Sequence, residues 1–171
     1  KPPKTRKNRG RVMSKKQTIE NLQRALSMEL TAMHQYQLHA CVLDDWGMGL
    51  LANQMREELQ EELGHSEEYL VRILFLKGDP KLTLEKIPVR ATSLRQMFES
   101  DLADEKEAIE FYTTASIQAS EDRDIGTRQL FERIAVDEEG HASWLELQLD
   151  LLQRMGEPAY IAKHMSTDST E

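Results

Sequence analysis

Apolar residues recur at helical spacing along four long stretches of the chain, and none of these stretches contains an internal proline. Leu, Ala, Glu, Gln and Met, all good helix formers, dominate the four stretches. The pattern predicts four helices of roughly 28 residues, well beyond the average length of a globular helix. Their predicted ranges are about 18–46, 50–77, 93–120 and 125–155.

The segments between the predicted helices differ in length, and this difference predicts the topology. Short turns at 47–49 and 121–124 are typical of antiparallel neighbours, whereas residues 78–92 contain Pro80 and Pro88 and show no helical period. A connection of about 15 residues can travel the full length of a bundle. The sequence therefore predicts an all-α, up-down-down-up four-helix bundle with a long crossover between helices 2 and 3. A short fifth helix is predicted over 158–165.

Charge divides the chain into a basic arm and an acidic body. The segment 1–16 carries eight Lys and Arg and no acid, so the segment 17–171 holds 14 basic against 30 acidic side chains. We expect residues 1–16 to be a disordered arm, 17–165 to form one bundle domain and 166–171 to be a polar tail. An acidic body attracts cations, and the arm gives weak support for nucleic-acid binding.

Cysteine content and hydropathy narrow the class of protein. Cys41 is the single cysteine, so the chain has no internal disulfide, and no stretch approaches the roughly 18 apolar residues of a membrane span. No secretory leader pattern is present. These features predict a soluble protein without a membrane partner, in the cytoplasm.

Two Glu-x-x-His motifs carry the candidate chemistry. They are Glu62 to His65 on the second predicted helix and Glu138 to His141 on the fourth, and residues three apart on a helix project to the same face. The interval from Glu62 to Glu138 equals the interval from Glu29 to Glu105, so both halves of the chain share one spacing. Glu29 and Glu105 also fall on the apolar stripe of their helices. A buried carboxylate normally has a cation beside it.

One Glu from each of two helices and a Glu-x-x-His from each of the other two form the ligand set of di-iron and di-manganese carboxylate bundles. Carboxylates suit Mn and Fe(III), and imidazole adds affinity for Fe(II). The sequence thus predicts two iron ions per subunit. We assign Glu29 and His65 to one metal and Glu105 and His141 to the other, with Glu62 and Glu138 as bridges.

Three further segments make the chain resemble bacterioferritin over about residues 18–160. They are Ser27-Met28-Glu29-Leu30-Thr31-Ala32 with Gln35-Tyr36, then Arg72-Ile73-Leu74-Phe75-Leu76-Lys77-Gly78, and Asp137-Glu138-Glu139-Gly140-His141 with Trp144-Leu145-Glu146. The resemblance implies a ferritin-like fold and a 24-subunit shell that oxidises Fe(II) and stores ferric mineral. It implies O2 or H2O2 as oxidant and a ferredoxin-type reductant for release. All six ferroxidase ligands carry over, and Tyr36 resembles the family's redox tyrosine near the site.

One position departs from the family pattern. Bacterioferritins usually place a haem-ligating methionine directly after the second-helix glutamate, and this chain has Leu63 there. Leucine has no lone pair for an axial ligand. We therefore expect this chain to bind no haem by itself, either as a non-haem variant or as one subunit type of a mixed shell.

Two other classes of function remain open on the sequence alone. One is a di-metal peroxidase or catalase, although the single cysteine argues against the cysteine-rich iron domain of rubrerythrins. The other is a nucleoid-binding protective cage of the miniferritin type, which only the basic arm supports.

Overall fold

The computed structural model describes the backbone of residues 5–166 and the side chains of residues 15–166. Within these residues the chain forms five helices and no strand. The helices are α1 (Thr5–Asp45), α2 (Gly49–Phe75), α3 (Leu94–Glu121), α4 (Ile125–Met155) and α5 (Glu157–His164). The predicted all-α bundle with a long crossover and a short fifth helix is confirmed. Among the described helices, none has the length and apolar content that crossing a membrane requires.

The first helix begins earlier than the sequence predicted. α1 starts at Thr5 instead of Thr18, so residues 5–16 continue the helix where the sequence predicted a disordered arm. Residues 5–17 contain no proline, and extending an existing helix avoids the cost of nucleating a new one. The rest of the predicted arm, residues 1–4, and residues 167–171 of the predicted tail lie outside the described residues.

Two apolar clusters, separated by a polar layer, establish the direction of each helix. One cluster contains Leu43, Met55, Phe98 and Leu145. The other contains Leu26, Ile73, Tyr112 and Phe131. Helices α1 and α4 pass from the second cluster to the first along the chain, and α2 and α3 pass from the first to the second. The topology is therefore up-down-down-up, as predicted, and the polar layer between the clusters holds the candidate site.

The crossover is hydrogen-bonded to polar side chains on one face of α1, spaced four or eight residues apart. The side-chain amide of Gln23 donates to the Lys81 carbonyl at 2.8 Å and accepts from the Lys81 N–H at 2.7 Å. Thr31 Oγ1 accepts from the Glu85 N–H at 2.9 Å. Gln35 repeats the two-way pairing with the Val89 backbone, at 2.9 Å in each direction. The crossover thus runs alongside α1 and lies over the polar layer.

Gly78 lies just beyond the end of α2, where the chain packs closely against α1 and α2. The positive φ at this end of α2 belongs to Lys77 (63°), not to Gly78. A Cβ on Gly78 would lie 2.8 Å from Ile73 Cγ2 and 3.1 Å from Ile19 Cγ2. Glycine is therefore required for close packing of the chain against α1 and α2.

Candidate metal centre

All six predicted metal ligands meet in the polar layer, and each is almost completely buried. Glu29 comes from α1, Glu105 from α3, and each of α2 and α4 supplies one Glu-x-x-His pair. The exposed fractions of the six side chains lie between 1% and 6%. Four elements distant in sequence thus bring four carboxylates and two imidazoles to one place inside the bundle.

The first half of the centre surrounds His65. Its Nδ1 lies 3.1 Å from Glu138 Oε1, 3.4 Å from Glu62 Oε2 and 3.5 Å from Glu29 Oε2. One ligand atom from each of these four residues lies within 4.8 Å of the others. That spacing is suitable for a single metal ion.

The second half surrounds His141 and uses the same two central carboxylates. His141 Nδ1 lies 3.0 Å from Glu138 Oε2, 3.1 Å from Glu62 Oε1 and 3.8 Å from Glu105 Oε1. Glu62 and Glu138 therefore each direct one oxygen to the first half and the other oxygen to the second. This is the arrangement expected of bridging ligands, and metal binding itself stays a prediction.

Most of the inward-facing polar atoms have no hydrogen-bond partner. Buried polar groups in proteins are nearly always paired, and leaving one unpaired costs about 1–3 kcal/mol. Seven such atoms lie together in this centre, and a pair of cations would satisfy them all. The atoms are Oε2 of Glu29, both carboxylate oxygens of Glu62 and of Glu138, and Nδ1 of His65 and of His141.

Carboxylates outside the centre hold the two imidazole rings. His65 Nε2 lies 3.3 Å from Asp137 Oδ2, and His141 Nε2 lies 2.8 Å from Glu61 Oε2 and 3.1 Å from Glu58 Oε2. Such contacts fix ring orientation and leave Nδ1 free to face a metal. The sequence analysis did not single out Asp137. The sequence does contain a signal for Asp137 and Glu61. Each directly precedes a Glu-x-x-His, so the two residues are separated by the same interval as the two motifs.

Two buried tyrosines complete the symmetry of the centre. The Tyr36 hydroxyl on α1 donates to Glu105 Oε1 on α3, and the Tyr112 hydroxyl on α3 donates to Glu29 Oε1 on α1. The structure thus places the predicted Tyr36 against a ligand of the second half. Tyr112, which the sequence analysis did not assign to the site, occupies the equivalent position at the first half.

Without a metal, the centre retains protons. Burial raises the pKa of Glu29 and of Glu105 well above the usual carboxyl range, and the neighbouring glutamates raise it further. Burial lowers the pKa of His65 and of His141, but the surrounding carboxylates outweigh burial and raise both well above the ordinary value. Metal ligands must give up protons to bind a cation. Metal binding at this centre is therefore coupled to proton release.

A small cavity of ≈ 40 Å³ leads from the centre toward the surface between α1 and α3. This volume exceeds the roughly 10–15 Å³ that one water requires. Its inner end includes Glu29 and Glu105, and its outer end includes Lys86 and Asp104. Lys86 forms an ion pair with Asp104 across the outer end. The cavity thus has room for a small ligand beside Glu29 and Glu105.

The fold and this paired carboxylate–histidine site define a class of four-helix-bundle metalloproteins, and comparison with known families agrees. The family model of the ferritin-like domain matches residues 19–155. Bacterioferritin of Rhodobacter capsulatus is 42% identical over 140 residues, which cover 81% of this chain and 86% of that protein. Bacterioferritin of Brucella melitensis is 40% identical over 143 residues, covering 83% and 88%. The chain belongs to the bacterioferritin family.

Solved structures support the same assignment. The structure of Rhodobacter capsulatus bacterioferritin, which has a metal-free dinuclear site and a haem iron, superposes with a TM-score of 0.87 at 36% identity, covering 91% of this chain and 97% of that chain. Bacterioferritin BfrA of Mycobacterium tuberculosis superposes with a TM-score of 0.85 at 36% identity, covering 88% and 94%.

Proposed function

We propose that this chain oxidises Fe(II) at the paired carboxylate–histidine centre and stores the ferric product. The observation that carries the proposal is the set of seven buried, unpaired ligand atoms gathered at this centre. One ion would bind Glu29, Glu62, His65 and Glu138, and the other Glu62, Glu105, Glu138 and His141. Iron supplies one electron per ion to the oxidant, O2 or H2O2.

The protein's contribution is to hold two cations close together in an otherwise apolar interior. Glu62 and Glu138 keep both ions at one site because each can bind both. Asp137 and Glu61, which contact the outer nitrogens of His65 and His141, fix the orientation of the two imidazoles. The Tyr36 hydroxyl donates a hydrogen bond to Glu105 and would supply an electron to the oxidant. The excess of acidic side chains over residues 17–171 attracts cations toward the shell.

The proposal includes assembly into a 24-subunit shell, as the family resemblance implies. Leu63 lies on the exposed side of α2, with 37% of its surface accessible, and offers no haem ligand. The shell is then haem-free, or it contains a second subunit type that supplies methionine at this position.

Two single substitutions, one at a proposed bridging carboxylate and one at a proposed histidine ligand, test the ferroxidase centre. We expect Glu62→Gln and His65→Ala to slow the fast oxidation of the first two Fe(II) per chain by at least about tenfold, as losses in metal sites typically do. Glu67→Gln, an exposed change on the same helix, is the matched control and should oxidise iron at the normal rate. Stopped-flow absorbance measures the rate, and calorimetry with Zn(II) counts the metal ions bound. Unchanged rates in both site variants would refute the assignment.

A further inference from the structure

The environment of Tyr112 differs from that of an ordinary core tyrosine. Its hydroxyl donates to Oε1 of Glu29, whereas Oε2 of the same carboxylate faces His65 at 3.5 Å and has no hydrogen bond. One oxygen of Glu29 thus accepts a hydrogen bond from the phenol, and the other faces the proposed metal position. A single carboxylate separates the Tyr112 hydroxyl from the first half of the centre.

The same relation exists on the opposite side of the centre. Tyr36 donates to Glu105, the carboxylate particular to the second half, and the interval from Tyr36 to Tyr112 equals that from Glu29 to Glu105. Each half of the centre therefore has its own phenol. Tyr112 and Tyr36 are 0% and 2% exposed, so neither phenol exchanges readily with solvent.

The ring of Tyr112 lies among other aromatic rings, which is a further difference from Tyr36. Its centroid is 5.7 Å from that of Tyr69, 5.9 Å from that of Phe131 and 5.9 Å from that of Phe111. A phenol can lose an electron without becoming a charged species only if a base accepts its proton in the same event. Glu29 is within hydrogen-bond reach to act as that base, and the surrounding rings keep water and solutes away from the radical that remains.

We propose that Tyr112 is a second redox-active tyrosine, which supplies one electron and one proton to the oxidant bound at the centre. This inference rests on the proposed ferroxidase function. Complete reduction of one O2 to two waters takes four electrons and four protons. Two electrons come from two Fe(II), which become Fe(III), and one each from Tyr36 and Tyr112, which become neutral tyrosyl radicals. The two phenols supply two protons, and solvent supplies the other two.

This stoichiometry has a consequence for the by-product of iron oxidation. Two Fe(II) alone can reduce O2 only as far as H2O2, because they supply two electrons. With both phenols available, a single centre completes the reduction in one turnover and releases no peroxide. A centre with one phenol is one electron short, and a centre with neither phenol stops at H2O2.

Conservative variants of the full-length assembled protein test this inference. Tyr112→Phe and Tyr36→Phe each remove one hydroxyl and keep the ring. Tyr160→Phe is the matched control, because Tyr160 is fully buried in the other apolar cluster and its hydroxyl donates to Gln148 Oε1 at 2.8 Å. Each variant is loaded with two Fe(II) per chain, mixed with O2, frozen within milliseconds to seconds, and examined by electron paramagnetic resonance. Released H2O2 is measured in parallel.

We expect up to two tyrosyl spins per chain in the unaltered protein and in Tyr160→Phe, one in each single variant of Tyr36 or Tyr112, and none in the double variant. H2O2 release should rise in the same order. Equal spin yields in Tyr112→Phe and the unaltered protein, with loss only in Tyr36→Phe, would overturn the inference. Failure of the unaltered protein to oxidise Fe(II) would instead refute the proposed function.

A second measurement separates a redox role from a structural one. Calorimetry with Zn(II), which undergoes no oxidation, reports how well Glu29 is positioned in each metal-free variant. We expect Tyr112→Phe to bind two Zn(II) per chain with an affinity within about threefold of that of Tyr160→Phe. A larger loss of affinity would show that Tyr112 acts by positioning Glu29, and would contradict the proposed electron transfer.

Discussion

Leu63 is the residue on which we propose that haem binding by this chain depends. It lies on the exposed side of α2, directly after the proposed bridging ligand Glu62, where the family pattern has methionine. We expect the unaltered protein to bind no haem and Leu63→Met to gain one haem for every two chains, because a thioether supplies the missing axial ligand. Haem titration followed by absorption spectroscopy measures both outcomes.

The control for this gain of function is Val71→Met, an exposed substitution further along the same helix. It introduces the same side chain into α2 at a position that does not follow Glu62, and should leave the protein haem-free. Stoichiometric haem in the unaltered protein, or none in Leu63→Met, would contradict the role assigned to Leu63.

At the scale of single residues, the sequence predicted the centre better than its surroundings. The six inward-facing ligands could be predicted from helical spacing and from the repeated interval between the two halves, because both patterns can be read directly from the sequence. Asp137 and Tyr112 act across helices, on His65 and Glu29 respectively. Such contacts depend on how α1, α2, α3 and α4 face one another, which the periodicity of one helix does not specify. The repeated interval alone could have suggested both residues.

Among the helices, the attachment of the crossover to α1 is the feature with the clearest measurable consequence. Gln35 pairs with both backbone groups of Val89. We expect Gln35→Leu to lower the free energy of unfolding by about 1–3 kcal/mol, because its two hydrogen bonds to Val89 and its 2.8 Å hydrogen bond to His39 Nε2 are lost. The Val89 amide hydrogen should also exchange faster with solvent. Chemical denaturation and hydrogen exchange measure the two effects.

Gln37→Leu serves as the comparison for this variant. Gln37 is exposed on the same helix, and its recorded side-chain hydrogen bond is the local one with His34. We expect a change of no more than about 0.5 kcal/mol, typical of surface substitutions, and no change in exchange at Val89. An equal effect of the two substitutions would show that the attachment does not stabilise the fold.

The elements themselves were predictable where local chemistry decides them. Ser93 caps α3 by accepting from the Gln96 N–H at 3.1 Å, as the Ser-x-x-Gln pattern indicates. The beginning of α1 was predicted incorrectly, because a run of basic residues suggests disorder but does not prevent a helix from continuing. The need for glycine at position 78 could not be predicted in this way, because its contacts with Ile73 and Ile19 arise only when α1 and α2 pack.

For the whole molecule, proton binding at the buried centre links stability to pH. Glu29 and Glu105 have raised pKa values, so the folded chain keeps protons that the unfolded chain loses above about pH 4.5. His65 and His141, whose pKa values are also raised, add the same effect above about pH 6.5. The pKa of Glu62 is lowered, so its contribution is already complete at pH 5. Stability of the metal-free protein should therefore fall as pH rises from 5 to 8.

Each proton that the folded centre retains and the unfolded chain loses should steepen this fall by about 1.4 kcal/mol per pH unit. General repulsion in an acidic protein also lowers stability as pH rises, so the test is a difference between forms. Zn(II) bound at the centre should flatten the slope, because the metal takes the place of the protons. Glu29→Gln with Glu105→Gln should also reduce it, whereas the exposed pair Glu67→Gln with Glu110→Gln should not. Calorimetric scans of metal-free and Zn(II)-loaded protein at several pH values measure these slopes of stability against pH. Identical slopes in all forms would show that the centre does not hold the protons responsible.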